Sequence, residues 1–391
     1  MNIRKSIFIG IFLGVFCGAN APVSAAPSFF QWVQSVPVET DLAVPGMAMT
    51  ADVWLEMVKN AKSTLDLAQF YVSAGSDKGP LEPILVELEK AGNKRGVKIR
   101  FLVSTALLKE DPTTLARLRK IKGLTLRTLD LAQVTGGVLH AKYWIVDGKE
   151  IFLGSQNFDW RSLNQIHEMG VRVQDKTLVR RLEHIFDLDW RLARTEAPLP
   201  PLVHEGFAEG ESISKKFELV ASPETLNPGE VRSSLRAVIE QVQSAKKSIR
   251  IQVLDYSPIS EAQVYWPDLD DALRAAALRG VKIQMLVANG SSTRRSLDYL
   301  KSLGMIPGVE IKLVTIPRWS GGDVPFARVI HSKYIIFDDE SFWLGNSNLG
   351  KGYFFNSRNV ELIFRNAEWI EPLLAVFNKV WNHSYAEKLA P

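Results

Sequence analysis

Val138-Leu139-His140-Ala141-Lys142-Tyr143-Trp144-Ile145-Val146-Asp147 and Ile330-His331-Ser332-Lys333-Tyr334-Ile335-Ile336-Phe337-Asp338 carry one pattern twice. In each, a histidine and a lysine stand two positions apart in an apolar run, and an aspartate follows the lysine after four residues. The apolar run predicts a buried strand from Val138 to Asp147, with Asp147-Gly148 turning a hairpin into Ile151-Phe152-Leu153. Residues two apart on a strand share a face, so His140 and Lys142 point the same way, as do His331 and Lys333. Asp147 lies seven positions from His140 and falls on the opposite face, which predicts a supporting role. A polar pair inside an apolar strand is costly unless it is satisfied or used. One such pair reads most simply as a structural histidine; two in register argue against that.

Matches outside these segments extend the pattern to a domain-sized repeat. Ala61-Lys62-Ser63 and Arg95-Gly96-Val97-Lys98-Ile99 recur 184 residues later, as Ala245-Lys246-Lys247-Ser248 and Arg279-Gly280-Val281-Lys282-Ile283. The His-x-Lys segments, and Gly154-Ser155-Gln156-Asn157 with Gly345-Asn346-Ser347-Asn348, lie 191 apart, so the second half carries a net seven-residue insertion. The period is far too long for a solenoid. It predicts two similar lobes, residues 28–195 and 215–391, joined by a Pro-rich, polar linker over 196–214. Each lobe reads as strand, helix, strand, helix and hairpin. Strands are expected at Ser63–Val72, Val97–Val103, Ser248–Leu254 and Val281–Val287, and helices at Leu81–Lys90 and Pro267–Leu278. The expected fold class is α/β, each lobe a mixed sheet flanked by helices.

Composition narrows the chemistry. A chain of 391 residues with 46% hydrophobic and 23% charged residues is globular, and a single continuous core is not expected at that length. The formal charge of +4 does not by itself argue for a polyanionic partner. The one cysteine, Cys17, excludes a disulfide scaffold, a cysteine-based zinc site and an iron–sulfur cluster. Residues 1–25 read as a signal peptide: a basic start with Arg4 and Lys5, an apolar run from Ser6 to Phe16, and Val23-Ser24-Ala25 before the new terminus Ala26. The run is shorter than the roughly 20 residues of a spanning helix. The expectation is export to a periplasm, the medium or, in a eukaryote, an endolysosomal lumen.

Imidazole titrates near neutrality, so of two histidines one can attack while the other donates a proton. Lysines hold phosphate as point charges, and Asn157 and Asn348 can donate hydrogen bonds to its oxygens. The set suits in-line displacement at a phosphodiester and calls for no metal or other cofactor, since cationic groups already offset the developing charge. No His-Glu-x-x-His zinc pattern is present.

With both motifs in place, the chain resembles the phospholipase D superfamily, whose signature is His-x-Lys-x4-Asp followed by Gly-Ser-x-Asn. His140, Lys142, Asp147 and Asn157 match it, then His331, Lys333, Asp338 and Asn348; Asn346 departs from the small hydroxyl residue after the glycine. The resemblance implies two α/β lobes sharing one active site at their interface, with His140 the nucleophile forming a phosphohistidine and His331 the general acid. It also implies an acidic residue downstream of each motif to orient a histidine, for which Glu168 and Glu361 stand 11 and 13 residues after their asparagines. Gly136-Gly137-Val138-Leu139-His140, Asn157-Phe158-Asp159-Trp160-Arg161-Ser162-Leu163, Asp255-Tyr256-Ser257-Pro258, Tyr265-Trp266-Pro267 and Pro325-Phe326-Ala327-Arg328-Val329 resemble the animal endolysosomal branch. Its members resemble 5′ exonucleases on single-stranded DNA and RNA, though they carry an uncleaved anchor and lack the second aspartate, which is present here as Asp338.

Other residues carry weaker signals. Tyr71, Tyr256, Trp266 and Trp319 are candidates to stack bases or contact acyl chains, and Arg161 and Arg328 to meet phosphate. His167, His184, His204 and His383 have no repeated partner and carry no expected chemistry. Asn289-Gly290-Ser291 and Asn382-His383-Ser384 are glycosylation sequons that decide nothing. Three functions stay open: an exported phosphodiesterase on single-stranded nucleic acid, a phospholipase D or transphosphatidylase touching a membrane surface, and an inactive binder of phosphate-bearing ligands. Oligomeric state is not legible.

Overall fold

The computed structural model describes residues 29–75, 78–193, 217–260, 262–291 and 294–390. The signal segment with Cys17 and the whole linker, His204 included, lie outside them.

The first lobe carries strands β1 (Phe29–Ser35), β2 (Thr64–Gln69), β3 (Lys98–Ser104), β4 (Leu124–Leu129), β5 (Tyr143–Val146), β6 (Glu150–Gly154) and β7 (Glu168–Gln174). With the short strand Ala48–Met49 at the edge, their order in the sheet is β1-β7-β6-β5-β2-β3-β4. The second lobe carries β8 (Phe217–Ser222), β9 (Ser248–Val253), β10 (Lys282–Ala288), β11 (Val309–Val314), β12 (Tyr334–Phe337), β13 (Ser341–Gly345), β14 (Asn359–Phe364) and β15 (Ala386–Lys388). The order repeats as β8-β14-β13-β12-β9-β10-β11, with β15 added at the far edge. β2, β3 and β4 run parallel, as do β9, β10 and β11, while β5 and β12 pair antiparallel to β2 and β9. Both sheets are therefore mixed, and the two halves are equivalent.

Period-2 alternation sorts the strand residues between cores. Trp144 and Val146 join an outer core with Val53, Trp54 and Met57 of helix α1 (Thr50–Asn60) and Leu85 and Leu88 of α2 (Glu82–Asn93). Tyr143 and Ile145 face inward. There they meet Leu182, Ile185 and Phe186 of α5 (Lys176–Leu192), which follows α3 (Pro112–Arg119) and α4 (Trp160–Asn164). In the second lobe Ile249 and Ile251 pack outward against α6 (Ser234–Ser244) and α7 (Pro267–Leu278); α8 (Arg294–Gly304) and α9 (Lys351–Phe355) follow. Tyr334, Ile336, Leu362 and Phe364 face inward with Leu373, Val376 and Phe377 of α10 (Ile370–Trp381). The inner faces of both sheets thus share one core. The length argued against a single core, and two outer cores do stand apart, but the middle one is continuous across the lobes.

Candidate active site

His140 and His331 lie on extended segments that cross between lobes before entering β5 and β12. The expected strand from Val138 begins only at Tyr143. Residues 138–140 pair instead with the opposite lobe: His140 N donates to Arg358 O at 2.9 Å and Arg358 N to Val138 O at 2.9 Å. The second half repeats this, His331 N donating to His167 O at 2.8 Å and His167 N to Val329 O at 3.0 Å. Close approach at the first crossing requires Gly137, where a Cβ would fall 2.3 Å from the Asn356 backbone.

Each crossing delivers a histidine to a partner from the other lobe. His331 Nδ1 lies 3.0 and 2.9 Å from the two carboxylate oxygens of Glu168. His140 Nδ1 lies 2.7 Å from Asn359 Oδ1. Asn359 Nδ2 donates to the carbonyls of Tyr353 and Ser357 at 2.9 and 3.2 Å, which turns its oxygen toward the imidazole. Both Nδ1 atoms therefore donate, and in the neutral rings Nε2 is left with its lone pair.

The expected partner Glu361 is not at either histidine. It pairs with Gly345 in the sheet, at the position of Gly170 in the first lobe. Its carboxylate accepts from Ser347 Oγ at 2.7 Å, and burial pushes its pKa up to about 7. Asn359 was findable: it stands 191 residues after Glu168 and 11 after Asn348, the repeat's own spacing. Its neutral amide stands where the resemblance implies an acid. The departure at Asn346 has a matching cause. Ser155 donates to Glu168, but with an amide at 359 there is no carboxylate to satisfy. Asn346 instead accepts from Val360 N at 3.0 Å and donates across the seam to Gly154 O at 2.5 Å.

Lys142 and Lys333 are 0% and 1% exposed, and each Nζ donates to the carbonyl of its own histidine at 2.5 Å. Burial drives Lys333 down to about 7, with Glu168 opposing the shift. It drives Lys142 well below its ordinary range, and Lys333 adds to the effect. Asn157 and Asn348 are buried, and each side-chain oxygen lacks a hydrogen-bond partner. The lysine ammonium groups and the side-chain amide N–H groups of the two asparagines are the donors this site can offer an incoming phosphate.

The two histidines are not electrostatically equivalent. Burial, then Lys142 and Lys333, push His140 well below its ordinary pKa, and the neutral Asn359 amide offsets little. Burial also lowers His331, but Glu168 pulls it back. Glu168 is raised by burial, yet His331, Lys333 and Ser155 outweigh that and hold it ionised. Two aromatic rings stand edge-on to His140, Phe70 at 4.9 Å and Tyr353 at 5.1 Å between centroids. Their repeat counterparts are Leu254 and Ser162.

Asp147 and Asp338, grouped with the catalytic set by resemblance, hold backbone instead. Asp147 accepts from Lys62 N, Ser63 N, Ser63 Oγ and Thr64 N; Asp338 accepts from Lys246 N, Lys247 N and Ser248 N. Each pins the hairpin turn to the start of the central strand, far along β5 or β12 from the histidine. These backbone donors hold the Asp147 carboxyl low against the upward pull of burial. Asp147→Ala is expected to cost about 1–2 kcal/mol in urea unfolding, with KM unchanged. Because the folded pKa is the lower one, that stability is present above the unfolded pKa and disappears as pH falls through the folded value.

The weaker candidates resolve to structure. Tyr256 and Trp266 are buried in the outer core. The Tyr71 hydroxyl donates to Asp159 at 2.7 Å, and Trp319 packs over Gly321. Arg161 pairs with Asp159, and Arg328 donates to the carbonyls of Pro317 and Val38 at 2.7 and 2.8 Å. His167 is buried and held neutral, with a pKa near 4. His184 pairs with Glu230 and His383 with Asp41. Among the described residues, no group of three or more His, Cys, Asp or Glu side chains is placed to hold a metal ion, and no helix is long and apolar enough to cross a membrane.

The comparisons with known proteins fit this arrangement. A family model described as "Cardiolipin synthase, PLD-like domain" matches residues 54–190 and again 238–381. Phospholipase D Z of Dictyostelium discoideum is 31% identical over 91% of this chain and 90% of its own. The 5'-3' exonuclease PLD3 of Xenopus laevis is 30% identical over 85% of this chain and 75% of its own. Among solved structures, phosphatidylserine synthase of Haemophilus influenzae shares the fold, with a TM-score of 0.61 at 12% identity over 86% of this chain and 85% of that one. Two matched halves, related by the repeat and closing on one pair of histidines, place the chain in the phospholipase D superfamily, as a phosphodiesterase.

Proposed function

We propose that the protein is an exported, metal-independent phosphodiesterase that hydrolyses single-stranded nucleic acid through a phosphohistidine on His140. The observation that carries the mechanism is the unequal partnering of the histidines. His140, on a neutral amide among buried lysines, keeps a free lone pair on Nε2. His331, on the Glu168 carboxylate, is the ring better able to carry a proton. In the first step Nε2 of His140 forms a bond to phosphorus while the bond from phosphorus to the leaving oxygen breaks, and His331 gives that oxygen its proton. In the second step His331 takes a proton from water, the water oxygen bonds to phosphorus, and the phosphorus–nitrogen bond breaks. Lys142, Lys333, Asn157 and Asn348 hold the non-bridging oxygens. Support for the substrate is the Xenopus relative, named a 5'-3' exonuclease. The Dictyostelium relative, named a phospholipase D, favours lipid as the second reading.

The test uses the chain from Ala26 in EDTA, on 5′-labelled single-stranded DNA and on phosphatidylcholine with a primary alcohol. Stepwise loss of nucleotides is expected. A phosphatidyl-alcohol product favours lipid, and a strict divalent-metal requirement overturns the mechanism. The pH dependence has a definite sign. Activity falls as pH rises through the pKa of His331, which lies below the ordinary 6.5. It falls as pH drops through that of His140, which lies well below the same value. The kcat/KM profile should be a bell with its optimum on the acidic side of 6.5. An optimum in the alkaline range contradicts this assignment.

A further inference from the structure

Among the described residues, Phe326 is the most exposed large apolar side chain, at 88%. It sits in left-handed backbone, φ +59°, and Arg328 two residues on is left-handed as well, φ +58°. Bulky side chains rarely adopt that conformation, and a ring turned to water contributes no burial to offset it.

The loop that holds it has no equal in the first lobe. Leu129 at the end of β4 is eleven positions from His140, whereas Val314 at the end of β11 is seventeen from His331. Most of the seven-residue insertion therefore builds this connection. The loop is pinned at several points. Arg161 Nη1 donates to Pro325 O at 2.9 Å, Arg328 N to Gln165 O at 2.9 Å, and Ser320 N to Glu39 at 2.9 Å. Arg161 lies four residues after Asn157, Gln165 three before Glu168, and His331 five after Phe326. The ring is thus carried rigidly beside the segments that supply the His331 half of the site.

We propose that Phe326 is a stacking platform for a base of single-stranded substrate on the leaving-group side of the scissile phosphate. This rests on the nuclease reading above. A lone ring suits a base, which offers one flat face. A membrane contact draws on contiguous apolar surface, whereas this loop also carries the exposed pair Arg318 and Asp323, 3.4 Å apart.

The test compares Phe326→Ala and Phe326→Trp on an oligothymidylate and on a chromogenic phosphodiester that has no base. In a His140→Ala background, affinity is read with a fluorescent oligothymidylate and with anionic vesicles. Phe326→Ala is expected to raise KM and Kd for the oligonucleotide roughly tenfold or more, and Phe326→Trp to restore them, with chromogenic turnover and Tm unchanged. If the wild type cleaves the oligonucleotide and Phe326→Ala matches it, the stacking assignment alone falls. If Phe326→Ala loses vesicle affinity instead, the ring is a lipid contact and the proposal is overturned. If the wild type turns over the chromogenic diester but no oligonucleotide, the nuclease reading falls and takes the platform with it.

Discussion

The His140→Ala variant is expected to lose turnover by at least roughly 10⁴-fold on every phosphodiester the wild type accepts, because no other group in the site is oriented to attack. Lys142 and Lys333 turn their ammonium groups onto histidine carbonyls, and Nε2 of His331 belongs to a ring held on a carboxylate. His331→Ala is expected to behave differently. A general acid matters most when the leaving oxygen is a poor leaving group. On a nitrophenyl phosphodiester, His331→Ala should keep far more of its first step than His140→Ala does. It should also accumulate an acid-labile phosphoryl adduct, since the water step then lacks its base. Label from phosphorus retained on His331→Ala and absent from His140→Ala would establish the order of events. The reverse pattern would exchange the two roles, and equal loss in both variants with no adduct would remove the covalent intermediate altogether.

Much of this architecture is written in the repeat. Two offsets set the lobes, and His140 with His331, Lys142 with Lys333 and Asn157 with Asn348 follow from the same register. The sheet order is also foreshadowed, because strand, helix, strand spans of this length favour parallel neighbours. What local pattern does not contain is the crossing of the lobes. The apolar run before Tyr143 reads as an ordinary strand, yet its hydrogen bonds go to Arg358 across the seam, as those of the run before Tyr334 go to His167. Partnership between His140 and Asn359 depends on that docking, and the amide hides it further from a search for carboxylates. The two aspartates support the fold away from the histidines, and their exact use is hidden for a related reason. Spacing placed Asp147 on the wrong face for the substrate, and only the folded turn reveals its use as a cap for three backbone N–H groups. Composition cannot separate an aromatic ring in the outer core, such as Trp266, from one in water, such as Phe326.

Asp189→Asn is expected to destabilise the protein by about 3–5 kcal/mol. Asp189 on α5 of the first lobe meets Arg358 of the second, and both side chains are 0% exposed. Arg358 Nε donates to Asp189 at 3.0 Å, Nη2 to Asp189 and to Leu226 O, and Nη1 to Asn227 Oδ1 and Ser222 O, so every guanidinium N–H is used. Replacing the carboxylate with an amide of the same shape leaves a buried guanidinium with no counter-charge, which is the costly way to break such a pair. The loss should extend beyond stability. The Arg358 backbone accepts from His140 N and donates to Val138 O, and the next residue is Asn359. A seam loosened at Asp189 therefore disturbs the position and the tautomer of His140 together. Urea unfolding of Asp189→Asn should show a lowered midpoint, and kcat should fall with KM little changed. Arg358→Met alone should be destabilised comparably, because Asp189 is then the uncompensated charge. The double variant Asp189→Leu/Arg358→Met should recover much of the stability, since an apolar pair removes both charges, yet little of the activity, since Ser222, Leu226 and Asn227 lose the donor that fixes this stretch. A loss below about 1 kcal/mol in Asp189→Asn would place the pair among the weakly coupled ones and leave the shared apolar core to hold the lobes in register.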